Sequence, residues 1–210
     1  TLVDTLDAQQ ATGELDQHRQ QLESQVAAFV SDVQSASRWQ TVLTAEQINA
    51  WLAVQLPLEV PELGEQGVQE PRLILRDGEA TLACRVTLRG VDSVVSVTAA
   101  PVVRDGGWVG LRVVRLRAGN LPLPVSTFAE LLQTTVDSLD ADPTNFRLVT
   151  DGEDSGPVIL VNLDRVASAP GELRRVDAFS FRDGEVFFGG VTERIRADEP
   201  PAALPSLSEP

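Results

Sequence analysis

Residues 72–88 read RLILRDGEATLACRVTL, and they give the clearest indication of the fold. Before Asp77-Gly78, Leu73 and Leu75 alternate with Arg72, Ile74 and Arg76; after it, leucine, cysteine and valine alternate with mostly polar or small residues. This is the pattern of two half-buried β-strands. Asp-Gly between alternating runs is a strong signal for a tight hairpin, because both central residues of such a turn take positive φ. The stretch therefore predicts an antiparallel β-hairpin.

The alternation continues on the C-terminal side of this hairpin. Further strands are predicted over about 93–103, 108–118, 145–150, 157–163, 174–181 and 185–192. Residues 72–118 then form a four-stranded meander, and Asp183-Gly184 repeats the first turn in the last hairpin. Leu121-Pro122-Leu123-Pro124 cannot join a central strand, because each proline lacks a backbone donor.

Three helices are predicted beside these strands. Thr44 and Gln47 have the spacing of a capping box, as do Thr127 and Glu130, so a helix begins at each pair. Residues 13–37 form a polar helix with a thin apolar stripe. That helix packs on the domain, pairs with another helix or connects the domain to an upstream segment.

Together these patterns predict the fold class α+β. We expect an antiparallel, strongly coiled β-sheet of about seven or eight strands, packed on one or two helices, with an N-terminal helical extension. Residues 1–40 are the acidic extension or spacer, residues 41–192 the single domain, and residues 193–210 a flexible proline-rich tail.

Charge is distributed unevenly along the chain. The formal net charge of −14 argues against a nucleic-acid binder, because phosphate contacts need a basic surface. Residues 71–120 invert the sign, with eight arginines and four acidic residues. One side of the first hairpin carries Arg72, Arg76, Arg85 and Arg89. This side is either a sheet face in water or a contact for an anionic group or acidic partner.

Little in the sequence supports catalysis. The chain has one histidine, one cysteine and no tyrosine, so neither a nucleophile with an adjacent base nor a zinc site is expected. Asp140, Asp142 and Asp151 imitate a calcium loop but lack its glycine and final glutamate, so a solvated loop is the better interpretation. We expect no enzyme activity, no cofactor and no metal; an enzyme using carboxylates alone is the weakest alternative.

Several strands carry apolar residues at adjacent positions, such as Val94-Val95, Val113-Val114 and Phe187-Phe188. Adjacent residues of a strand point to opposite faces, so helices cover parts of the sheet on both sides or the strands line an apolar cavity. The candidate lining residues are apolar side chains on facing helices and strands: Trp51, Leu52, Val95, Val113, Phe128, Leu132 and Phe187.

The run LTAEQINAWL (43–52), the meander, and AGNLPLP (118–124) before a helix resemble the YpmS-like family of uncharacterised bacterial envelope proteins. That family is similar to tubular lipid-binding domains, in which a coiled sheet wraps a long helix around an apolar groove. The resemblance implies an extracytoplasmic module of the cell envelope, held by an N-terminal membrane anchor that is absent from these residues. It implies no catalytic residues.

The leading hypothesis is a non-enzymatic module that binds a lipid or another apolar ligand between sheet and helix. The alternative is an envelope scaffold or protein-interaction module with a fully packed core and no ligand. Such a module would contact an envelope protein through helix 13–37 or through the arginine side of the hairpin. We expect no nucleic-acid partner, and membrane contact only through the anchor.

Overall fold

The computed structural model describes residues 2–35, 38–65, 67–88, 90–105, 107–126, 146–150, 156–162 and 172–194. The helices are α1 (Leu2–Gln34), α2 (Ala45–Val54), α3 (Leu56–Glu59) and α4 (Pro61–Glu65). The strands are β1 (Arg38–Thr44), β2 (Val68–Arg76), β3 (Glu79–Leu88), β4 (Val91–Arg104), β5 (Trp108–Ala118), β6 (Leu121–Leu123), β7 (Phe146–Thr150), β8 (Pro157–Asn162), β9 (Glu172–Arg182) and β10 (Glu185–Arg194).

The predicted fold class, α+β with antiparallel strands, is confirmed. The strands form a large sheet of order β2-β3-β4-β5-β8-β7, with β6 also paired to β5, and a small sheet of order β1-β10-β9. The meander is β2 to β5, and the last hairpin is β9 and β10. The sequence predicts one sheet, whereas β10 pairs with β1 in a separate one. As predicted, the proline-containing β6 is not a central strand.

Strand β1 is absent from the sequence-based prediction, although its pattern is present in the sequence. Arg38 is exposed, Trp39 is buried and Gln40 is exposed, which is the period of two expected for a half-buried strand. Its short alternating run lies between the polar helix and the capping box of α2, so the helix signals on both sides dominate.

The region before β2 also differs from the prediction. The three prolines and two glycines of residues 57–71 predict a connector, yet α3 and α4 extend over residues 56–65 and β2 begins at Val68. Pro57 lies in the first turn of α3, and Pro61 begins α4, where a missing backbone donor breaks no helical hydrogen bond. The capping box of α2 is confirmed: Gln47 N donates to Thr44 Oγ1 (3.2 Å), and Thr44 N donates to Gln47 Oε1 (3.0 Å).

One core cluster joins the two sheets and α1. Trp39 of β1, Val176 of β9 and Val109 of β5 are buried together, and Phe29 of α1 and Phe188 of β10 pack against them. The ring of Phe29 lies edge-on to those of Trp39 and Phe188, with centroids 5.5 and 5.6 Å apart. The C-terminal half of α1 therefore packs on the domain.

The last turn of α1 is bound by polar groups of the small sheet. The Val33 carbonyl accepts from Thr192 Oγ1 (2.7 Å) and from Arg174 Nε (3.3 Å). Arg174 is only 1% exposed and forms an ion pair with Glu172. A cation near the C-terminus of a helix is stabilised by the helix dipole, so these contacts satisfy a terminal carbonyl and fix the helix.

A β-bulge in β9 changes which of its side chains face the core. Val176 pairs with Gly190 and Ala178 with Gly189, so Asp177 is the extra residue. Val176 is buried before the bulge and Phe181 after it, although five positions separate them. The bulge allows β9 to pack along its length against the large sheet.

Several predictions fall outside the described residues. These are the whole of the helix predicted to begin at Thr127, the carboxylates Asp140, Asp142 and Asp151, and the site candidates Phe128, Leu132 and Arg89. Within the described ranges, no helix is both long enough and apolar enough to cross a bilayer.

Candidate functional site

The centre of the large sheet has one fully covered row of side chains. Leu75, Ala80, Ala99 and Val113 are cross-strand partners from β2 to β5, so they lie side by side on one face. All four are buried, and Phe181 of β9 packs against the first two. This face is therefore the one that meets the small sheet.

The same face continues beyond the covered row as an apolar surface that is partly open to solvent. The next two rows, which we call the apolar patch, are Leu73, Leu82, Val97, Leu116 and Leu123, followed by Cys84, Val95, Ala118 and Leu121. Leu116 is buried, but Leu82 is 44% exposed and Leu121 is 69% exposed. The patch crosses five strands without a charged side chain.

Helix α2 lies along the border of the apolar patch at β2. Asn49 Nδ2 donates to the Leu73 carbonyl (2.8 Å), and Leu73 N donates to Asn49 Oδ1 (2.6 Å). The amide side chain thus occupies the free edge of β2 as a neighbouring strand would. Leu52, three residues after Asn49, lies on the same side of α2, toward β2.

The structure brings some of the predicted lining residues together and separates others. Val95 lies within the apolar patch, and the half-buried Trp51 and Leu52 belong to the helix at its border. Val113 is on the same face but only 1% exposed, inside the covered row. Phe187 lies elsewhere: Val186 faces the core, so its neighbour points to the far side of the small sheet, where Arg182 stacks over the ring at 5.3 Å.

The residues that expose the patch most, Leu82, Leu121 and Leu123, are not among the predicted lining residues. For Leu82 a signal exists, because the Asp77-Gly78 turn fixes the register of β3 and places Leu82 beside Leu73. For Leu121 and Leu123 the local sequence gives no such signal, since their pairing with β5 depends on a three-residue edge strand.

Cys84 stands in the middle of the apolar patch. Its cross-strand partner is Val95, and its thiol is half-buried. Burial raises the pKa of the Cys84 thiol, because the thiolate is less well solvated there than in water. It is the only cysteine of the chain, so it can report on the patch without interference.

The opposite face of the large sheet is basic. The strand pairing and the alternation of side chains place eight arginines on this face: Arg72, Arg76, Arg85, Arg104, Arg112, Arg115, Arg117 and Arg147. We call this surface the arginine face. Within the described ranges, Arg85 forms an exposed ion pair with Glu70 (3.3 Å) and Arg115 forms one with Glu79 (3.7 Å). Three predicted contact residues, Arg72, Arg76 and Arg85, therefore share one face.

A third surface is a shallow groove along α1. Its larger part, about 570 Å³, is lined by glutamines including Gln17, Gln21 and Gln47, and its smaller part, about 330 Å³, by Phe29 and Val42 among others. Gln25 lines both parts. The Gln25 amide donates to the Val42 carbonyl (2.5 Å), which covers the free edge of β1.

No metal site is found in the part of the chain that the structure describes, since no three His, Cys, Asp or Glu side chains are grouped there. The single histidine, His18, is half-buried on α1. Comparison of the chain with protein-family models, curated proteins and solved structures gave no match. The resemblance to the YpmS-like family therefore stays a prediction.

Proposed function

We propose that the protein is a non-enzymatic module that binds an aliphatic chain, such as the acyl chain of a lipid, on the apolar patch. The observation that carries the proposal is the solvent exposure of Leu82 and Leu121 within an uncharged surface spanning five strands. Contiguous apolar surface on a soluble domain marks a binding site, because covering it yields about 25 cal/mol per Å².

The composition of the patch favours an aliphatic ligand over an aromatic one. Its side chains are leucine, valine, alanine and one cysteine, which offer no ring for stacking. Helix α2 borders the patch through Asn49 and places Leu52 toward β2, so a bound chain would lie between sheet and helix. The extracytoplasmic location is part of this proposal and is supported by the YpmS-like resemblance alone.

The chain offers a matched pair of variants to test the proposal. Leu82 and Ile74 are both about half exposed and lie on adjacent strands, but Leu82 belongs to the apolar patch and Ile74 to the arginine face. We expect Leu82→Asp to weaken the binding of a long-chain fatty acid at least about tenfold in calorimetry, because the exposed part of the leucine contact is lost and a carboxylate would have to be desolvated against the aliphatic chain.

Ile74→Asp should leave the fatty-acid affinity unchanged while introducing the same charge into the same region. Thermal unfolding of both variants controls for the fold. Equal weakening by both variants would show that charge alone matters, and no binding to the wild-type chain across a series of chain lengths would refute the proposal.

The groove along α1 supports a second candidate function, the protein-interaction module. Val26 and Val30 of α1 are exposed next to the groove-lining residues Gln25, Ala28 and Phe29. In that case the double variant Val26→Asp/Val30→Asp would abolish a concentration-dependent association of the chain in analytical ultracentrifugation and leave fatty-acid binding intact. A chain that stays monomeric at all concentrations would remove self-association as the basis for this candidate.

A further inference from the structure

We propose that the arginine face docks on a membrane surface that contains anionic lipid. This inference goes beyond the proposed function, because it concerns the opposite face of the large sheet and does not depend on an apolar ligand. It also departs from the sequence-based expectation that the membrane is contacted only through an anchor. The two faces act independently, and different variants distinguish their binding activities.

Exposed positive charge is the first observation. Arg72, Arg76 and Arg117 are exposed, and no acidic side chain in the described part of the chain pairs with any of them. The Ala83 and Ser96 positions lie between Arg72 and Arg117 in one cross-strand row, so the charges spread over four strands as a flat array. Guanidinium groups bind phosphate oxygens in a two-pronged geometry, which suits phospholipid headgroups.

Exposed aliphatic side chains among these arginines are the second observation. Ile74 stands between Arg72 and Arg76 on the same face and is 52% exposed. Val94, opposite Arg85, is also 52% exposed. Aliphatic groups within a basic surface gain free energy at the boundary between headgroups and acyl chains, as in interfacial amphipathic helices. A nucleic acid would use the arginines but would gain little from Ile74 or Val94, so a bilayer is favoured.

The acidic balance of the chain does not oppose such docking. The net charge of −14 arises outside residues 71–120, since eight arginines outnumber four acidic residues within that segment. A surface at physiological salt interacts mainly with charges within about 8 Å. Three acidic residues of the described ranges lie on or beside this face: Glu79 and Glu70 pair with Arg115 and Arg85, and Asp92, at one end of β4, accepts a hydrogen bond from Thr87. The membrane therefore meets the basic side of an asymmetric molecule.

The test is co-sedimentation of the full chain with vesicles of phosphatidylcholine, with and without phosphatidylglycerol. We expect binding only to the anionic vesicles, weakening as salt is raised. The double variant Arg72→Gln/Arg76→Gln should weaken binding about 25-fold, because each arginine near an anionic surface contributes about fivefold.

Arg38→Glu is the matched control for net charge. It also lowers the net charge by two units, but Arg38 is an exposed residue of β1 in the small sheet. It should change vesicle binding by less than about twofold, since its charge lies outside the docking face. Equal loss in the double variant and in the control would overturn the proposal, as would equal binding of the wild-type chain to neutral vesicles.

Ile74→Asp and Leu82→Asp separate this inference from the proposed function. Ile74→Asp should weaken vesicle binding and leave fatty-acid binding intact, whereas Leu82→Asp should do the reverse. Vesicle binding that responds to the arginines but not to Ile74→Asp, together with tight binding of an oligonucleotide, would assign the face to a polyanion and overturn the bilayer. A wild-type chain that binds fatty acid but not anionic vesicles would refute only the membrane proposal. The reverse result would refute only the proposed apolar ligand.

Discussion

The backbone N–H of Asp77 donates a hydrogen bond to Oδ1 of Asp183 across 3.2 Å, so the two Asp-Gly turns of the chain meet in space. Gly184 N also donates to the Leu75 carbonyl (3.1 Å), and Ala45 N donates to the Gly184 carbonyl (2.8 Å). The turn of the last hairpin is thereby held between the edge strand β2 and the start of α2. These bonds join the small sheet to the large one.

The two turns belong to similar hexapeptides, LRDGEA (75–80) and FRDGEV (181–186). Their first and last residues pack together: Leu75, Ala80 and Phe181 are buried in one cluster with Val186 against it. The backbones differ, however. Asp77 and Gly78 both have positive φ, whereas in the second turn only Gly184 does. The sequence similarity thus predicts the position of both turns, but it does not predict that their backbone conformations differ.

Gly184→Ala tests this junction. The φ of Gly184 is +77°, which alanine adopts only with strain, and no atom would lie within 4 Å of the added Cβ. We expect a loss of about 1–2 kcal/mol in the free energy of unfolding, measured in urea. Gly64→Ala is the control, because that glycine also has open space but lies in α4 without positive φ. A loss at both sites would show that conformational strain is not the cause.

Asn49→Ala should destabilise the fold through the edge of β2. The variant removes both partners of the half-buried Leu73 backbone, and we expect a loss of about 1–3 kcal/mol. The newly free edge should also promote association, detectable by light scattering. Asn120→Ala, at an exposed turn residue, is the matched control. Unchanged stability of Asn49→Ala would show that water replaces the amide without cost.

Thr192→Val should loosen the attachment of α1. The change keeps the shape of the side chain but removes the hydroxyl that accepts from Trp39 Nε1 (3.0 Å) and donates to the Val33 carbonyl. We expect a loss of about 2 kcal/mol in chemical denaturation, because Trp39 is buried and its N–H would lose this partner. Thr87→Val removes an exposed hydroxyl bonded to Asp92 and should cost much less. Equal costs would contradict the proposed role of burial.

The Cys84 thiol should react at higher pH in the folded chain than in the denatured one. Burial raises the pKa of Cys84, so the rate of iodoacetamide alkylation should rise with pH later than it does in urea. The neutral buried thiol contributes to the free energy of unfolding. This contribution is fully present below the pKa of the unfolded thiol and is lost as the pH rises through the raised pKa of the folded thiol. Cys84→Ser should abolish this pH dependence of stability. Identical pH profiles in folded and denatured chains would contradict the burial of this thiol.

The parts of the fold that follow from local signals could be predicted from the sequence. The Asp77-Gly78 turn and the alternation around it give the meander, and Thr44 with Gln47 gives the start of α2. The division into two sheets could not be predicted, because it depends on a distant pairing of β1 with β10 that neither strand specifies alone.

The candidate site was predictable only in part. The apolar character of Val95 and Leu52 is visible in the sequence, but apolarity alone also selected Val113 and Phe187. Which row of the large sheet is covered depends on where β9 packs, and this separates the buried Val113 from the exposed Leu82. Phe187 points away from the core because its neighbour Val186 packs against the core cluster through the position of β10 in the small sheet. Both are tertiary relationships.

If a long-chain fatty acid binds on the apolar patch, it should protect Cys84 from alkylation. The thiol lies within the apolar patch, so an aliphatic chain bound there should slow its reaction with iodoacetamide about tenfold when the ligand concentration exceeds Kd by about the same factor. Ile74→Asp should retain the protection and Leu82→Asp should lose it. An unchanged alkylation rate in the presence of a fatty acid that calorimetry shows to be bound would place the ligand elsewhere and contradict the account.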